Sequence, residues 1–558
     1  MKPTFTLLLA SFIIFLNSFA QMNTTLTEIN ISENSPHIKT SIIGESSNGI
    51  VAYQINNEEN SISIGTINSN NNFQPIKKEI LKDYSVENVF LRGSKALVFT
   101  SNLNNLNGKE FKKNEVAPKV IISLLEVDLN TKMSNTTKNV VQFEYINNAT
   151  FYEGNLKIAE SENQKFTGVC YGFTRGYSKP KKFTSYMVLF DNNIQEVNKV
   201  TWKSDRALAE VKRYEEMLVS NSGIISILTL SNYSQKMKSI IPMPQEIIMK
   251  SREYEDQLPG LTYSDFTRQY HSTNQVSVIF LAPDLKTPIV KYIDFEDKLQ
   301  YVSYNGCKMV FDKEENILLA GLFSDAFNNF YSKGIFISKI NSSSDQMEIL
   351  YQEYFSEEFV REILPNEKLK ASATTKFQKG KNPHINNVAI TNITKLEDGE
   401  FTLLLEFEDY DIGNTKFGDF DKKNESFTGN MQLLKFTEGG SKLDWSLSFS
   451  KKNYLYMPKP VIGSNKSYIH YFPGSNSLIL MFNEQNTNQT PKPSSVLGTE
   501  IDFPKLVMYD ISISGELGEK QEILNNTEAI ICPEKNIKIG DRLILQGTHK
   551  DVQELFEL

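Results

Sequence analysis

The sequence predicts an all-β chain folded as a β-propeller of about seven or eight blades, with loop and short helical insertions. Two observations lead there. First, a polar turn containing Gly, Asn or Asp is followed by a run rich in Ile, Leu, Val and Phe, and this unit recurs along the whole chain. Second, no helix-period pattern stands regularly between the copies, which removes the alternating strand and helix plan of a parallel α/β fold.

The copies are marked by Gly49, Lys95, Gly154, Gly223, Asn316, Gly399, Asn476 and Asp541. Each reads as a turn feeding a buried strand, as in Gly49-Ile50-Val51-Ala52, Gly223-Ile224-Ile225-Ser226-Ile227 and Gly399-Glu400-Phe401-Thr402-Leu403. The mean step between markers is about 70 residues. It exceeds the roughly 40 to 50 residues of common propeller repeats, so some units carry insertions.

Most copies continue into a second apolar strand, a polar turn and a weaker third strand. Met431 to Phe436 turns at Glu438-Gly439-Gly440 and re-emerges at Leu443-Asp444-Trp445; Tyr186 to Phe190 turns at Asp191-Asn192-Asn193 and leads to Val200-Thr201-Trp202. Trp202 and Trp445 therefore hold equivalent places, where a large ring packs one repeat on the next. Two insertions stand out, at 239–270 and 355–383. In the second, Ser356 caps a short helix with Glu357 and Glu358 in its first turn, and Pro365 stops it.

Tandem sandwiches and a β-solenoid share this texture. A propeller suits it better, because a ring leaves only short, protected strand edges in a long chain without a disulfide framework. Solenoid repeats are shorter, and tandem sandwiches show linkers between independent cores. The best linker, 489–495 with Pro491 and Pro493, reads as a loop between strands.

The N-terminus reads as an export signal. Lys2 precedes an apolar run from Leu7 to Leu16, and Ser18 and Ala20 place small residues three and one positions before a cut. That run is shorter than the roughly 20 residues of a permanent membrane helix. The expected organisation is a signal peptide at 1–20 and a single propeller-like domain at 21–558, exported to the periplasm, cell surface or extracellular space. No cysteine near the cut suggests a lipid-modified N-terminus, and no later apolar run is long enough for a transmembrane helix.

A formal net charge of −8, with acidic and basic residues interspersed, makes nucleic acid an unfavourable partner. The densest basic run, Lys179-Pro180-Lys181-Lys182, reads as a solvated turn. The three cysteines, Cys170, Cys307 and Cys532, allow at most one bridge and sit beside apolar residues, which favours buried free thiols.

In its repeats the chain resembles the uncharacterised exported β-propeller-like proteins of the Bacteroidota. The resemblance rests on Phe311 to Phe323 followed by Gly334 to Asn341, on Leu396 to Phe407 followed by Gly429 to Trp445, and on the Ala20-Gln21 cut. It implies a fold and a compartment, and it carries no activity and no functional residues.

Signatures of chemistry are scarce. His37, His271, His384, His470 and His549 are scattered and form no H-E-x-x-H or H-x-H pattern. Gly44-Glu45-Ser46-Ser47-Asn48-Gly49 has one residue too many for a nucleophile elbow, and neither a P-loop nor a G-x-G-x-x-G run is present. The acidic stretch from Glu406 to Asn424 reads as a loop in which Glu406, Glu408, Asp409, Asp411, Asp419 and Asp421 are weak candidate oxygen ligands for calcium. Gly413 stands where an EF-hand needs a third ligand, and Lys422 and Lys423 interrupt the second cluster, so a solvated acidic loop is the competing reading. Asn-x-Ser/Thr triplets at Asn23, Asn135 and Asn148 matter only in a host that glycosylates them.

The reading that follows is a non-enzymatic exported propeller, needing no cofactor, that binds a protein or glycan of the cell envelope or extracellular space. The alternative is a secreted glycan hydrolase whose carboxylates converge at one face of the ring. Mass spectrometry of the exported protein is expected to place its N-terminus at Gln21; a membrane-bound product retaining Met1 would contradict the signal assignment.

Overall fold

The computed structural model describes residues 27–29, 38–68, 72–106, 119–144, 149–150, 156–175, 183–203, 210–233, 275–293, 295, 301–324, 331–341, 347–364, 367–381, 383, 385–386, 388–397, 399–411, 424–451, 453–457, 467–484, 505–523, 530–539, 542–549 and 552–557. Within them lie eight antiparallel sheets of four or five strands, met in sequence order, and one two-stranded ribbon. The first blade runs Ile38–Ser46, Gly49–Asn56, Ser61–Ile67 and Phe73–Ile80; the second Ser85–Arg92, Lys95–Ser101, Lys119–Asp128 and Ser134–Glu144. The third runs Leu156–Glu160, Phe166–Arg175, Thr184–Asp191 and Glu196–Lys203; the fourth Glu210–Val219, Ile225–Tyr233, Gln275–Leu281 and Ile289–Tyr292. The fifth comprises Tyr301–Phe311, Ile317–Ser324, Gly334–Ile340 and Met347–Tyr354. The sixth comprises Val388–Lys395, Phe401–Asp411, Asn424–Phe436 and Leu443–Phe449, with Asn453–Met457 added on the third strand. The seventh runs Tyr468–Phe472, Ser477–Glu484, Lys505–Ser512 and Gln521–Ile523.

The eighth blade draws on both ends of the chain. Ile530–Ile539, Arg542–His549 and Val552–Glu557 are completed by Thr27–Ile29, with Thr27 opposite Glu557, Glu28 opposite Phe556 and Ile29 opposite Leu555. The first strand of the first blade touches the first strands of both the second and the eighth blades, so the circuit is closed. The chain is an eight-bladed β-propeller.

The core is divided by the gaps between blades. Eight apolar clusters are present among the described residues, one in each gap. Val98 and Leu125 with Ile62 and Ile64 join the second blade to the first; Val278 and Phe280 with Leu319 and Phe336 join the fourth to the fifth. The last gap is filled by Ile544 of the eighth blade against Ile42, Ile50, Ala52, Ile67 and Phe73 of the first. Among the described residues the middle strands are mostly buried on both faces, which is why the sequence there reads as continuous apolar runs; Ile317–Ser324 is buried along its whole length.

The turns into the second strands explain the repeating sequence unit. The carbonyls of Ser161, Ser220, Asp312, Leu396 and Pro473 accept hydrogen bonds from the amides of Gln164, Gly223, Glu315, Gly399 and Asn476. Each donor residue has a positive φ, at 58°, 91°, 62°, 79° and 51° respectively, the left-handed conformation that Gly and Asn adopt most easily. Gln164 and Glu315 adopt it with side chains that reach back to the preceding blade. Gln164 Nε2 donates to the Leu91 carbonyl at 3.0 Å, and Glu315 accepts from Ser220 Oγ at 2.9 Å and from the Ser222 amide at 3.1 Å.

One marker is corrected. Gly154 lies outside the described residues, and the strand that follows it, Leu156–Glu160, is the first strand of its blade; the equivalent turn is Ser161 to Lys165, where Gln164 holds the place of glycine. Trp202 and Trp445 sit on the fourth strands of the third and sixth blades. Each packs on the next blade: Trp202 is buried with Tyr214 and Met217, and Trp445 Nε1 donates to the Ile513 carbonyl at 3.0 Å.

Of the two insertions, 239–270 and the stretch 489–495 lie outside the described residues. The 355–383 insertion forms two helices. Glu357–Ile363 is capped by Ser356, whose side chain accepts from the Phe359 amide, and it ends at Leu364 before Pro365. Sequence reasoning missed Glu367–Gln378, because among its described residues Ala373 alone is buried and its sequence carries little apolar periodicity. Phe355, Val360, Ile363 and Leu364 wedge into the core between the fifth and sixth blades.

Because the ring is closed by Thr27–Ile29 on Val552–Glu557, deleting residues 551–558 exposes strand edges and opens the circuit. The expected outcome is a lower melting temperature for the whole body in calorimetry. A truncated chain that melts like the intact one would contradict a closed ring. In the Trp202 gap, Trp202→Ala is expected to cost roughly 3–5 kcal/mol in denaturant unfolding, as buried aromatic truncations do.

Candidate functional site

The first strands of the blades line the axis of the ring, and most are bulged. Their register to the second strand shifts between Ile42 and Gly44, Val86 and Asn88, Tyr214 and Glu216, Val302 and Cys307, Ile390 and Asn392, and Cys532 and Asn536. A bulge inserts an extra residue and re-aims the side chains around it. Here it turns the next polar residue toward the following blade. Asn88 Nδ2 donates to the Ile158 carbonyl at 2.8 Å, Glu216 Oε2 accepts from the Met309 amide at 3.1 Å, and Asn392 hydrogen-bonds the Tyr468 side chain. In the first blade the position is Gly44, with φ 145°, where a Cβ would lie 2.9 Å from Leu91 Cδ2 of the second blade.

Among the described residues, a group of charged side chains on the first strands spans the third to fifth blades. Lys157, Glu215, Glu216, Cys307 and Lys308 come from three neighbouring first strands and interact electrostatically. Burial raises the Glu216 carboxyl above its ordinary range, and Lys308, the Met309 amide and Lys157 pull it back only in part. The Cys307 thiol is pushed up to about 12 by burial and by the carboxylates of Glu215 and Glu216. Burial likewise drives the Cys170 thiol well above its usual value. Neither forms a thiolate at neutral pH, so neither is an activated nucleophile. Both are free.

The two ends of the ring differ. Turns between first and second strands, such as 47–48, 161–165 and 312–316, leave at one end and none exceeds five residues. Connections between second and third strands leave at the other end and include 102–118, 176–183, 234–274, 412–423 and 485–504. The helical insertion joins the fourth strand of one blade to the first of the next and so belongs to this same end. The run Lys179 to Lys182 is part of it and lies outside the described residues.

The first part of the acidic stretch is strand rather than loop, and 412–423 lie outside the described residues. The backbone of Glu406 to Asp411 continues the second strand of the sixth blade, with Glu408 opposite Thr428 and Asp411 opposite Glu425. Asp419 and Asp421 lie outside the described residues. Glu406 is fully buried and paired with Lys451. Among the described residues, no three His, Cys, Asp or Glu side chains gather as a metal site requires. Of the histidines, His470 is on the first strand of the seventh blade between the rings of Tyr468 and Phe472. No described helix is long and apolar enough to cross a membrane.

Sequence reasoning missed Asn88, Glu216, Lys451 and Ser467. The first two depend on bulges, which have no local signature, and the last two meet Glu406 across 45 and 61 residues of chain.

No protein-family model and no curated protein matches the chain. Among solved structures it is similar to the WD40 domain of SCAP from fission yeast, at 8% identity and a TM-score of 0.36, covering 95% of this chain and 97% of that one. It is also similar to the β-propeller domain of the Trilobed protease from Pyrococcus furiosus, at 8% identity and a TM-score of 0.31 over 86% of this chain and 94% of that one. A prolyl endopeptidase shares 9% identity and a TM-score of 0.36 over 93% of this chain, which spans about half of that protein, 55% of its length. The propeller assignment rests on the strand topology itself.

Two outcomes are expected. Cys170, which is buried, and Cys307, which is half-buried with a thiol held protonated, resist iodoacetamide at pH 8 in the native chain and react after denaturation, as read by peptide mass; rapid native alkylation would contradict the burial of Cys170 or the raised thiol of Cys307. For Glu216, a raised folded-state pKa means the folded protein holds its proton more tightly than the unfolded chain. That contribution to stability is present in acid and is lost as pH rises through the folded pKa. Glu216→Gln is therefore expected to melt higher than the parent at pH 7, and the gap should close toward pH 4. A gap independent of pH would contradict the assignment.

Proposed function

We propose that the chain is an exported propeller of the kind it resembles in the Bacteroidota, binding a partner in the cell envelope or outside the cell without catalysing a reaction. The observation that carries this reading is the asymmetry of the ring. The long connections all leave one end, while the other is closed by short hydrogen-bonded turns. Long loops on a rigid scaffold are where propellers and other repeat bodies place recognition, since loop length costs little stability and leaves the packed gaps untouched.

A second reading is favoured by one feature. Glu215 and Glu216 are consecutive on the first strand of the fourth blade, and burial raises the Glu216 carboxyl as it raises the acid of a glycoside-cleaving pair. The asymmetry of the ring makes binding the preferred reading.

The test replaces 234–274 by a two-residue Asn-Gly turn. The expected result is an unchanged melting temperature with lost binding to the envelope fraction, measured by co-sedimentation. Equal binding by the trimmed chain would move recognition elsewhere. Release of product from a panel of polysaccharides by the intact chain, abolished in Glu216→Gln, would favour the hydrolase reading instead.

A further inference from the structure

The sixth blade holds a pair of opposite charges out of water altogether. Glu406, on Phe401–Asp411, and Lys451, just past Leu443–Phe449, are both 0% exposed, with Lys451 Nζ in contact with Glu406 Oε1. Ser467, 2% exposed at the entry to the seventh blade, completes the group. Its amide donates to Glu406 Oε2 at 3.1 Å, and its Oγ lies 3.0 Å from Lys451 Nζ and 3.2 Å from Glu406 Oε1. The Lys451 amide donates to Asn430 Oδ1 at 3.4 Å, and Asn430 Nδ2 in turn donates to the carbonyls of Glu362 and Leu364. Four segments therefore hold the amine against the carboxyl. The other described ion pairs all keep at least one side chain in contact with water.

We propose that Lys451 and Glu406 become joined by an intramolecular isopeptide bond once the blade has folded. The reaction runs through the neutral amine and carboxylic acid, reached by moving one proton from Nζ to Oε1 across the contact the two groups already make. The Nζ lone pair attacks Cδ, forming the C–N bond, and the Cδ–Oε1 bond breaks. Oε1 departs with its own proton and one from nitrogen, as water. The Ser467 amide faces Oε2, where negative charge develops in the tetrahedral intermediate, and so stabilises it.

The contacts already present suit the product. Oε2 becomes the amide carbonyl and keeps the Ser467 N–H; the remaining N–H on Nζ donates to Ser467 Oγ. Both buried charges vanish and every new polar atom has a partner. The bond ties the second strand of the sixth blade to the segment leading into the seventh, a covalent staple beside two cysteines, Cys170 and Cys307, that are free.

The experiment is a tryptic digest of the purified full chain, read by tandem mass spectrometry. The expected product is a branched peptide, 396–416 joined through Glu406 to Lys451 of 443–452, one water lighter than its two parts and uncut after Lys451. In Lys451→Arg the two peptides separate. Complete recovery of linear 396–416, with cleavage after Lys451 in the parent chain, would overturn the proposal and leave an ordinary buried ion pair. The parent digest decides this whether or not the variant folds.

Discussion

A four-stranded blade has two apolar faces and can bury neither alone, so each blade depends on both neighbours and the chain is satisfied only as a closed circuit. The eight clusters, one to each gap, are the material form of that constraint. It explains why the last blade draws on both ends of the chain. Ile544 against the first blade and three residues at 27–29 carry the closure.

Polar groups then set how the blades sit against one another. On the axis, bulges aim Asn88, Glu216 and Asn392 at the next blade; on the turn end, Gln164 and Glu315 reach back to the previous one. An apolar gap is indifferent to small slips, whereas a hydrogen bond between named atoms is not, so these contacts fix register between neighbours. Arg92, paired with Glu160 and donating to the Asn192 carbonyl, serves the same end between the second and third blades.

Much of the fold was legible because its local demands are written locally. A left-handed turn residue calls for Gly or Asn, and Gly223, Gly399 and Asn476 announce their strands for that reason. The same logic failed at the third blade, where Gln164 takes the conformation at a steric cost and Gly154 offered a false marker. Trp202 and Trp445 were placed between repeats correctly, since a ring of that size on an outer strand has one apolar surface to meet. The candidate site was far less legible. Acidic composition made Glu406 to Asp411 look like a solvated loop, and the partner that buries Glu406 lies 45 residues away. Nor does any local pattern foretell a bulge, so Glu216 read as one charge among many.

The end of the ring that bears the long connections is free to vary because the gaps and the closing strand bear the stability. That division of labour holds only if the ring is closed as described, and a cysteine pair tests it directly. Glu28 and Phe556 face each other across the closing ladder, within the Cα separation a disulfide spans. Under oxidising conditions Glu28→Cys with Phe556→Cys is expected to form an intramolecular bridge in near-complete yield and to raise the melting temperature, with reduction reversing the gain. A double variant that stays reduced, or that bridges only between molecules, would contradict closure of the propeller by its own N-terminal strand.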